Sequence, residues 1–317
     1  MPQPTISEVA IVGAGVIGRS WAQLFIRSGC HTALHDSDVA RTKAALDWIR
    51  TDLEADCSDG LIDCRELESR LKRLSIHSEL SEALRRAQYV QECGPERLEL
   101  KKAIFADLDR HAGSQAILCS STSGLSMTEI AAGLRGARRC LVAHPVNPPH
   151  IIPVVELVPG KETDPAILST VRDFLSCLGQ VPVTLRSHVP GFLLNRLQAA
   201  MFREAIHLVE SGVAELKDVE AVVSEGVGLR WALLGPFGVA DSNADGGLRG
   251  NFSNFRQTFL DLMNDLGPAS KLPPAVVDEM SNAMTAMNGG VSPAEIRRWR
   301  DRLVRKIQAL KAADPHP

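Results

Sequence analysis

The sequence predicts an α/β chain, with a Rossmann-type, mostly parallel sheet followed by a second, all-helical C-terminal domain. Three observations carry this reading. Short β-rich runs alternate with amphipathic stretches over about the first 185 residues. Strand signals then stop near Ser187, and helical periodicity takes over. A glycine-rich turn, Gly13-Ala14-Gly15-Val16-Ile17-Gly18, sits between the first strand-like run and the first helical one. Strand–helix alternation implies a largely parallel sheet with helices on both faces. The expected domains are 1–187, binding a dinucleotide, and 188–317, carrying substrate and dimer contacts.

In chain order, strands are expected at Val9–Val12, Thr32–Leu34, Tyr89–Gln91, Ala116–Cys119, Cys140–Ala143, Val154–Val158 and Val181–Thr184. Helical patterns lie between most of them, at Ser20–Ser28, Leu98–His111 and Pro165–Leu178 among others. Prolines at close intervals from Val154 onward point to a different pairing at that sheet edge. Beyond Ser187, Leu194, Leu197, Met201, Ala205 and Leu208 recur at three- and four-residue spacing, one face of a helix. That stripe is expected to be core. Further helices are expected near Lys217–Ser224, Asn254–Leu266, Pro274–Met287 and Pro293–Ala312. The tail Asp314-Pro315-His316-Pro317 reads as disordered.

Apolar residues make up 44% and charged residues 23%, an ordinary globular mix. A net charge of −3 with scattered Lys and Arg gives no reason to expect nucleic acid or an anionic membrane as partner. The N-terminus carries no signal-peptide pattern, and no uncharged apolar stretch nears the ~18–20 residues a membrane span needs. A cytoplasmic protein is the expectation. The seven cysteines form no CxxC pair, and several lie in apolar runs, so reduced thiols are expected rather than disulfides. No metal-ligand cluster is visible.

The glycine turn matches G-x-G-x-x-G, and Asp36 follows 18 residues after its last glycine, at the end of the second strand. A strand before, a helix after and an acid at that distance make a dinucleotide site. Gly13 allows the tight turn, Gly15 lets a pyrophosphate approach the backbone, and Gly18 lets helix and strand pack closely. The helix N-terminus, opening at Val16 and Ile17, offers free N–H groups to the phosphates. Asp36 would accept the adenine-ribose hydroxyls and repel a 2′-phosphate, favouring NAD over NADP.

His144 follows an apolar strand in Ala143-His144-Pro145-Val146-Asn147-Pro148-Pro149. Glu156, twelve residues on, interrupts the apolar run Val154–Val158. A carboxylate in such a run needs a partner if buried, and a histidine on a neighbouring strand would supply one and have its ring held. Oxidising an alcohol needs hydride loss to NAD together with proton loss to a base, a role that histidine fills.

In these segments the chain resembles the 3-hydroxyacyl-CoA dehydrogenase family, most closely its λ-crystallin/L-gulonate 3-dehydrogenase branch. The resemblance rests on Gly18-Arg19-Ser20-Trp21, on Pro95-Glu96 with Leu98–Lys102, and on the His144 segment. Gly191–Leu197, Gly228–Ala232 and Gly235-Pro236 add to it. It implies His144 as catalytic base, oriented by Glu156. It implies Ser123 and Asn195 as hydrogen-bond partners of the substrate's reacting oxygen. Glu96 and Lys101 would line the nicotinamide side of the cofactor site, although they could also be a surface helix pair. A homodimer is expected by the same analogy.

Two substrate classes stay open. Residues 47–66 hold seven acids against Arg50 and Arg65, a surface that would repel the phosphates of a CoA thioester. Arg230, expected where a helix ends, could grip a free carboxylate with two parallel hydrogen bonds. A small free 3-hydroxy acid such as L-gulonate is therefore the first reading and a short 3-hydroxyacyl-CoA the alternative. A non-enzymatic, crystallin-like structural protein is a minor third.

Overall fold

A computed structural model describes residues 6–314; the expected disordered tail thus lies mostly outside the described residues. The chain divides into two compact units, Met1–Arg196 and Leu197–Pro317. The first extends past residue 187 because Phe192 is fully buried in the sheet unit's core, carrying the start of the following helix with it.

In that unit β1 (Glu8–Val12) leads through the glycine turn into α1 (Val16–Arg27) and β2 (His31–His35). Helix α2 (Val39–Ser58) starts at Asp38, whose carboxylate accepts the Ala40 N–H and so caps an otherwise open helix end. Next come α3 (Leu67–Leu71), β3 (Leu74–His77), α4 (Leu80–Leu84), β4 (Tyr89–Glu92) and α5 (Leu98–His111). Then follow β5 (Ile117–Ser120), α6 (Met127–Ile130), β6 (Cys140–Pro145), β7 (Val154–Pro159), α7 (Pro165–Cys177) and β8 (Val181–Thr184). Strand β3 was not expected. It is a half-buried edge strand and shows no continuous apolar run.

The eight strands lie in the order β3-β2-β1-β4-β5-β6-β7-β8. Every pairing is parallel except β6 with β7, which is antiparallel, as the prolines suggested. The order reverses at β1, between β2 and β4. In open α/β sheets, ligands bind beyond the carboxyl ends of the strands at such a reversal. One face of the sheet is packed by Trp21, Phe25, Ile49 and Phe174, with Phe25 stacked between Trp21 and Phe174. The other is packed by Val90, Phe105, Leu118 and Phe192. Each fully buried apolar side chain of this size contributes roughly 1.5–3 kcal/mol.

The thiol expectation needs correction. Cys57 and Cys64, at the end of α2 and in the turn after it, form a disulfide with a Cα–Cα distance of 5.1 Å. Their spacing lets the chain fold back within one turn, which no CxxC search would find. The other five cysteines form no disulfide. Burial pushes the thiols of Cys30, Cys93 and Cys140 up to about 12, and that of Cys119 higher still.

The second unit contains α8 (Leu194–Glu210), which begins in the first unit, then α9 (Leu216–Ala221), α10 (Gly228–Leu233), α11 (Pro236–Ser242), α12 (Gly247–Asp265), α13 (Pro274–Met287) and α14 (Pro293–Ala313). Ser292 and Glu295 form a reciprocal capping box at the start of α14. The helix expected to end near Gly226 does not end there. It passes through a π-helical turn, Val222–Val227, directly into α10. The apolar stripe of α8 is not core in this chain, for α8 has no buried residue and Leu197 is 68% exposed. A three-to-four spacing identifies an apolar face but not what covers it. Alongside it, Phe202, Ile206, Val209, Val219, Met280 and Met284 line an apolar groove between α8, α9 and α13.

Candidate active site

The glycine turn shows what its residue types are for. Gly13 adopts φ +107°, and a Cβ there would press on the Cys93 backbone after β4. A Cβ on Gly18 would collide with the Gly13 carbonyl, whereas Gly15 faces open space. No side chain caps the N-terminus of α1, and Gly15 and Val16 are exposed, while Ile17 leans on the core. A phosphate could therefore reach the free N–H groups, and the turn fits a dinucleotide. Asp36 is 8% exposed; its two oxygens accept the N–H groups of Ala14 (2.8 Å) and Asp38 (2.9 Å). It thus fastens the glycine turn to the end of β2.

Across the antiparallel β6–β7 pair, His144 stands directly opposite Glu156. Both are buried, and His144 Nδ1 lies 2.7 Å from Glu156 Oε2. The other carboxylate oxygen accepts the backbone N–H groups of Leu193 (2.7 Å) and Leu194 (2.9 Å), at the start of α8. Burial alone would raise the Glu156 pKa. The hydrogen bonds from His144, Leu194 and Leu193 together outweigh it and hold the carboxyl below its ordinary range. A carboxylate only accepts, so His144 Nδ1 carries a proton, and in the neutral ring Nε2 is then the nitrogen with the lone pair. Phe192 packs against the imidazole at a centroid distance of 5.5 Å. Its φ of +51° is a left-handed conformation that costs a non-glycine residue roughly 1–2 kcal/mol. Strain of this kind gathers at functional sites, and here it aims two N–H groups at Glu156. Nothing in the residue pattern signals it.

Ser123 follows β5. Its backbone N–H (3.0 Å) and hydroxyl (3.3 Å) both point to Glu96 Oε1, which also accepts the Thr122 hydroxyl (2.6 Å). Asn195 Nδ2 donates to the Ser123 carbonyl at 3.2 Å. Glu156, the start of α8, Asn195, Ser123 and Glu96 are thus one connected set. Lys101 is not on the surface. It is 1% exposed and bonded to Glu92, a fully buried carboxylate at the end of β4 that sequence reasoning missed. The signal was available: Glu92 is an acid at the end of an expected strand, as Glu156 is an acid inside one.

Arg230 lies in the second unit, exposed on α10 just after the π-helical turn. Of the seven acids in residues 47–66, Asp52 turns inward to Gln23, Asp63 pairs with Arg65, and Glu66 with Arg70. The segment is less negative toward solvent than its composition suggests. Among the described residues no cluster suited to a metal ion occurs, and no helix is long and apolar enough to cross a membrane.

The glycine turn at the sheet's reversal point, with a buried His–Glu pair on the same sheet, defines an NAD-dependent oxidoreductase of Rossmann fold. Comparison with known proteins gives the family. Residues 8–188 match the NAD-binding domain of 3-hydroxyacyl-CoA dehydrogenase, and residues 191–295 match its C-terminal domain. The chain belongs to this family. It is 38% identical over 315 residues to the lambda-crystallin homolog of Mus musculus, spanning 98% of both chains. It is 34% identical to an L-carnitine dehydrogenase of Oceanobacillus iheyensis over 87% of each. Among solved structures, an NAD+-dependent 5-formyl-3-hydroxy-2-methylpyridine 4-carboxylic acid 5-dehydrogenase superposes with a TM-score of 0.80. That structure is 26% identical, and the match covers 99% of this chain and 100% of the other.

Proposed function

We propose that this chain oxidises the hydroxyl of a small 3-hydroxy acid to the 3-keto acid, with His144 as general base. The observation that carries the reading is the buried His144–Glu156 pair, whose geometry leaves Nε2 as a proton acceptor. The alcohol O–H proton passes to Nε2, and Glu156 stabilises the imidazolium that results. Ser123 and Asn195 hold the reacting oxygen as the carbonyl forms. Bound NAD, cradled by Gly13, Gly15, Val16, Ile17 and Gly18 with Asp36 at the adenine ribose, supplies the acceptor for the hydride leaving the carbon. Retention of His144, Glu156, Ser123 and Asn195 as one connected set speaks against a purely structural, crystallin-like role.

A free acid, with L-gulonate as the named example, is favoured by Arg230, which offers a fork for a carboxylate. The similarity to an L-carnitine dehydrogenase supports it, since L-carnitine is itself a free 3-hydroxy acid. A short 3-hydroxyacyl-CoA is the second reading, favoured by the family's namesake activity and by the internal neutralisation of the acidic segment. Measuring NADH production with L-gulonate and with 3-hydroxybutyryl-CoA in parallel separates the two. Turnover of neither overturns both L-gulonate and 3-hydroxybutyryl-CoA as substrates. We place the protein in the cytoplasm as a homodimer. The uncovered apolar side chains of α8, Leu197 and Phe202 among them, support self-association, which light scattering would test.

A further inference from the structure

A group of buried charges outside the His144–Glu156 pair lies where β4 and β5 end. Glu92 closes β4 with no solvent exposure, and Lys101 in α5 is 1% exposed. Lys101 Nζ lies 2.9 Å from each Glu92 oxygen and 3.1 Å from the Gly94 carbonyl. An ammonium has three protons, and these three acceptors engage all of them. Glu92 also accepts the Gly94 N–H and the Ser120 hydroxyl, each at 2.6 Å. Such an ion pair persists in a dry interior only when its remaining hydrogen-bonding sites are filled, as they are here. A second carboxylate completes the group, for Glu96 Oε2 lies 3.7 Å from the same Nζ.

The two carboxylates hold the two ends of one short turn. Glu92 grips Ser120, the last residue of β5, and Glu96 grips Thr122 and Ser123 beyond it. Lys101 sits between them. We propose that Glu92, through Lys101 and Glu96, is a positioning residue for Ser123, with Lys101 as the counter-ion that holds the two carboxylates in this network. The proposal rests on the reading that Ser123 touches the substrate's oxygen. If Glu92 loses its charge, the buried ammonium keeps one anionic neighbour, Glu96. Drawing Glu96 toward Lys101 takes it away from Thr122 and Ser123. Displacements of about 1 Å in a reacting group cost up to ~100-fold in rate.

The test compares Glu92→Gln, Lys101→Met, the double variant Glu92→Gln/Lys101→Met, Ser123→Ala and Ser123→Ala/Glu92→Gln. The readouts are kcat and KM with whichever 3-hydroxy substrate is turned over, NAD+ Kd by calorimetry, and amide exchange across residues 121–125. Glu92→Gln is expected to lower kcat about 10–100-fold, to leave NAD+ Kd unchanged and to speed exchange at 121–125. Removing the orphaned ammonium in Glu92→Gln/Lys101→Met should recover part of that kcat. In the Ser123→Ala background, Glu92→Gln should lower kcat little further, because the group it positions is already gone. Additive losses in Ser123→Ala/Glu92→Gln would overturn the proposal, as would unchanged amide exchange at 121–125 in Glu92→Gln. If Glu92→Gln does not fold, Glu96→Gln at the exposed end of the network carries the same test through Ser123. The underlying reading of Ser123 fails separately, if Ser123→Ala alone keeps full kcat. Exchange at 121–125 reports on the network whether or not that happens.

Discussion

Replacing Glu156 with Gln preserves shape and removes one charge, so its effect can be worked out from the geometry. Glu156 Oε1 accepts two backbone N–H groups and Oε2 faces His144 Nδ1. A glutamine can place its single oxygen on only one of these sides. Facing its NH2 toward Leu193 and Leu194 would set two donors against two donors, so the oxygen stays with the backbone. The NH2 then meets His144 and requires Nδ1 to accept. That forces the other tautomer, with a proton on Nε2 and no lone pair for the substrate. Loss of a positioned base, or its capture in the wrong tautomer, costs about 10²–10⁴ in kcat. Exchanging one charge-assisted bond for a neutral one costs about 1–1.5 kcal/mol, or about 2–6 °C in Tm for a unit of this size. NADH absorbance with the active substrate, together with a thermal melt, measures both. A kcat within about threefold of the unmodified protein would refute the tautomer argument, whatever happened to Tm.

Three further outcomes are expected. NAD should be used at least about tenfold better than NADP, and Asp36→Ala should narrow the gap while lowering Tm, because Asp36 also holds Ala14 and Asp38; equal kcat/KM for both cofactors in the unmodified protein would rule this out. Arg230→Ala should raise KM for a free 3-hydroxy acid about 10–100-fold, with Arg230→Lys restoring part of it; an unchanged KM would move the assignment to the CoA ester. Acid should destabilise the first unit through carboxyls held below their ordinary values. Burial opposes this at Glu156 and at Asp109, but hydrogen bonds from His144 and Leu194 at the former, and from Arg139 at the latter, outweigh it. A pKa lower in the folded state gives stability that is full above the ordinary values of 4.5 and 3.8 and lost as pH falls below them. Tm should therefore drop steeply below about pH 4, and less steeply in Glu156→Gln; identical pH profiles for the two proteins would contradict this account.

The sheet unit was legible because its strands announce themselves twice, by apolar runs and by the glycine turn that separates the first from its helix. Val181–Thr184 and Leu98–His111 fall where the residues put them. Strand β3 was hidden because an edge strand needs no apolar run. His144 and Glu156 could be paired on paper, since a buried acid demands a partner. Glu92 obeys the same rule, yet its partner Lys101 lies in the next helix, out of reach of an argument from neighbouring strands. Phe192 could not be found at all, because positive φ in a non-glycine residue leaves no compositional trace. The stripe on α8 was misread for a different reason: periodicity tells which side of a helix is apolar, and only three-dimensional structure tells what lies against it.

The facing of His144 and Glu156 across β6 and β7 also bears on how this protein can be recovered after denaturation. Strand side chains alternate, so a slip of one residue in that antiparallel pairing would send Glu156 to the opposite face of the sheet. No partly slipped chain could keep the pair and work at reduced rate. Activity regained during refolding should then report the number of molecules with native register, at constant turnover per native molecule, and so serve as a direct census of how faithfully this edge of the sheet assembles.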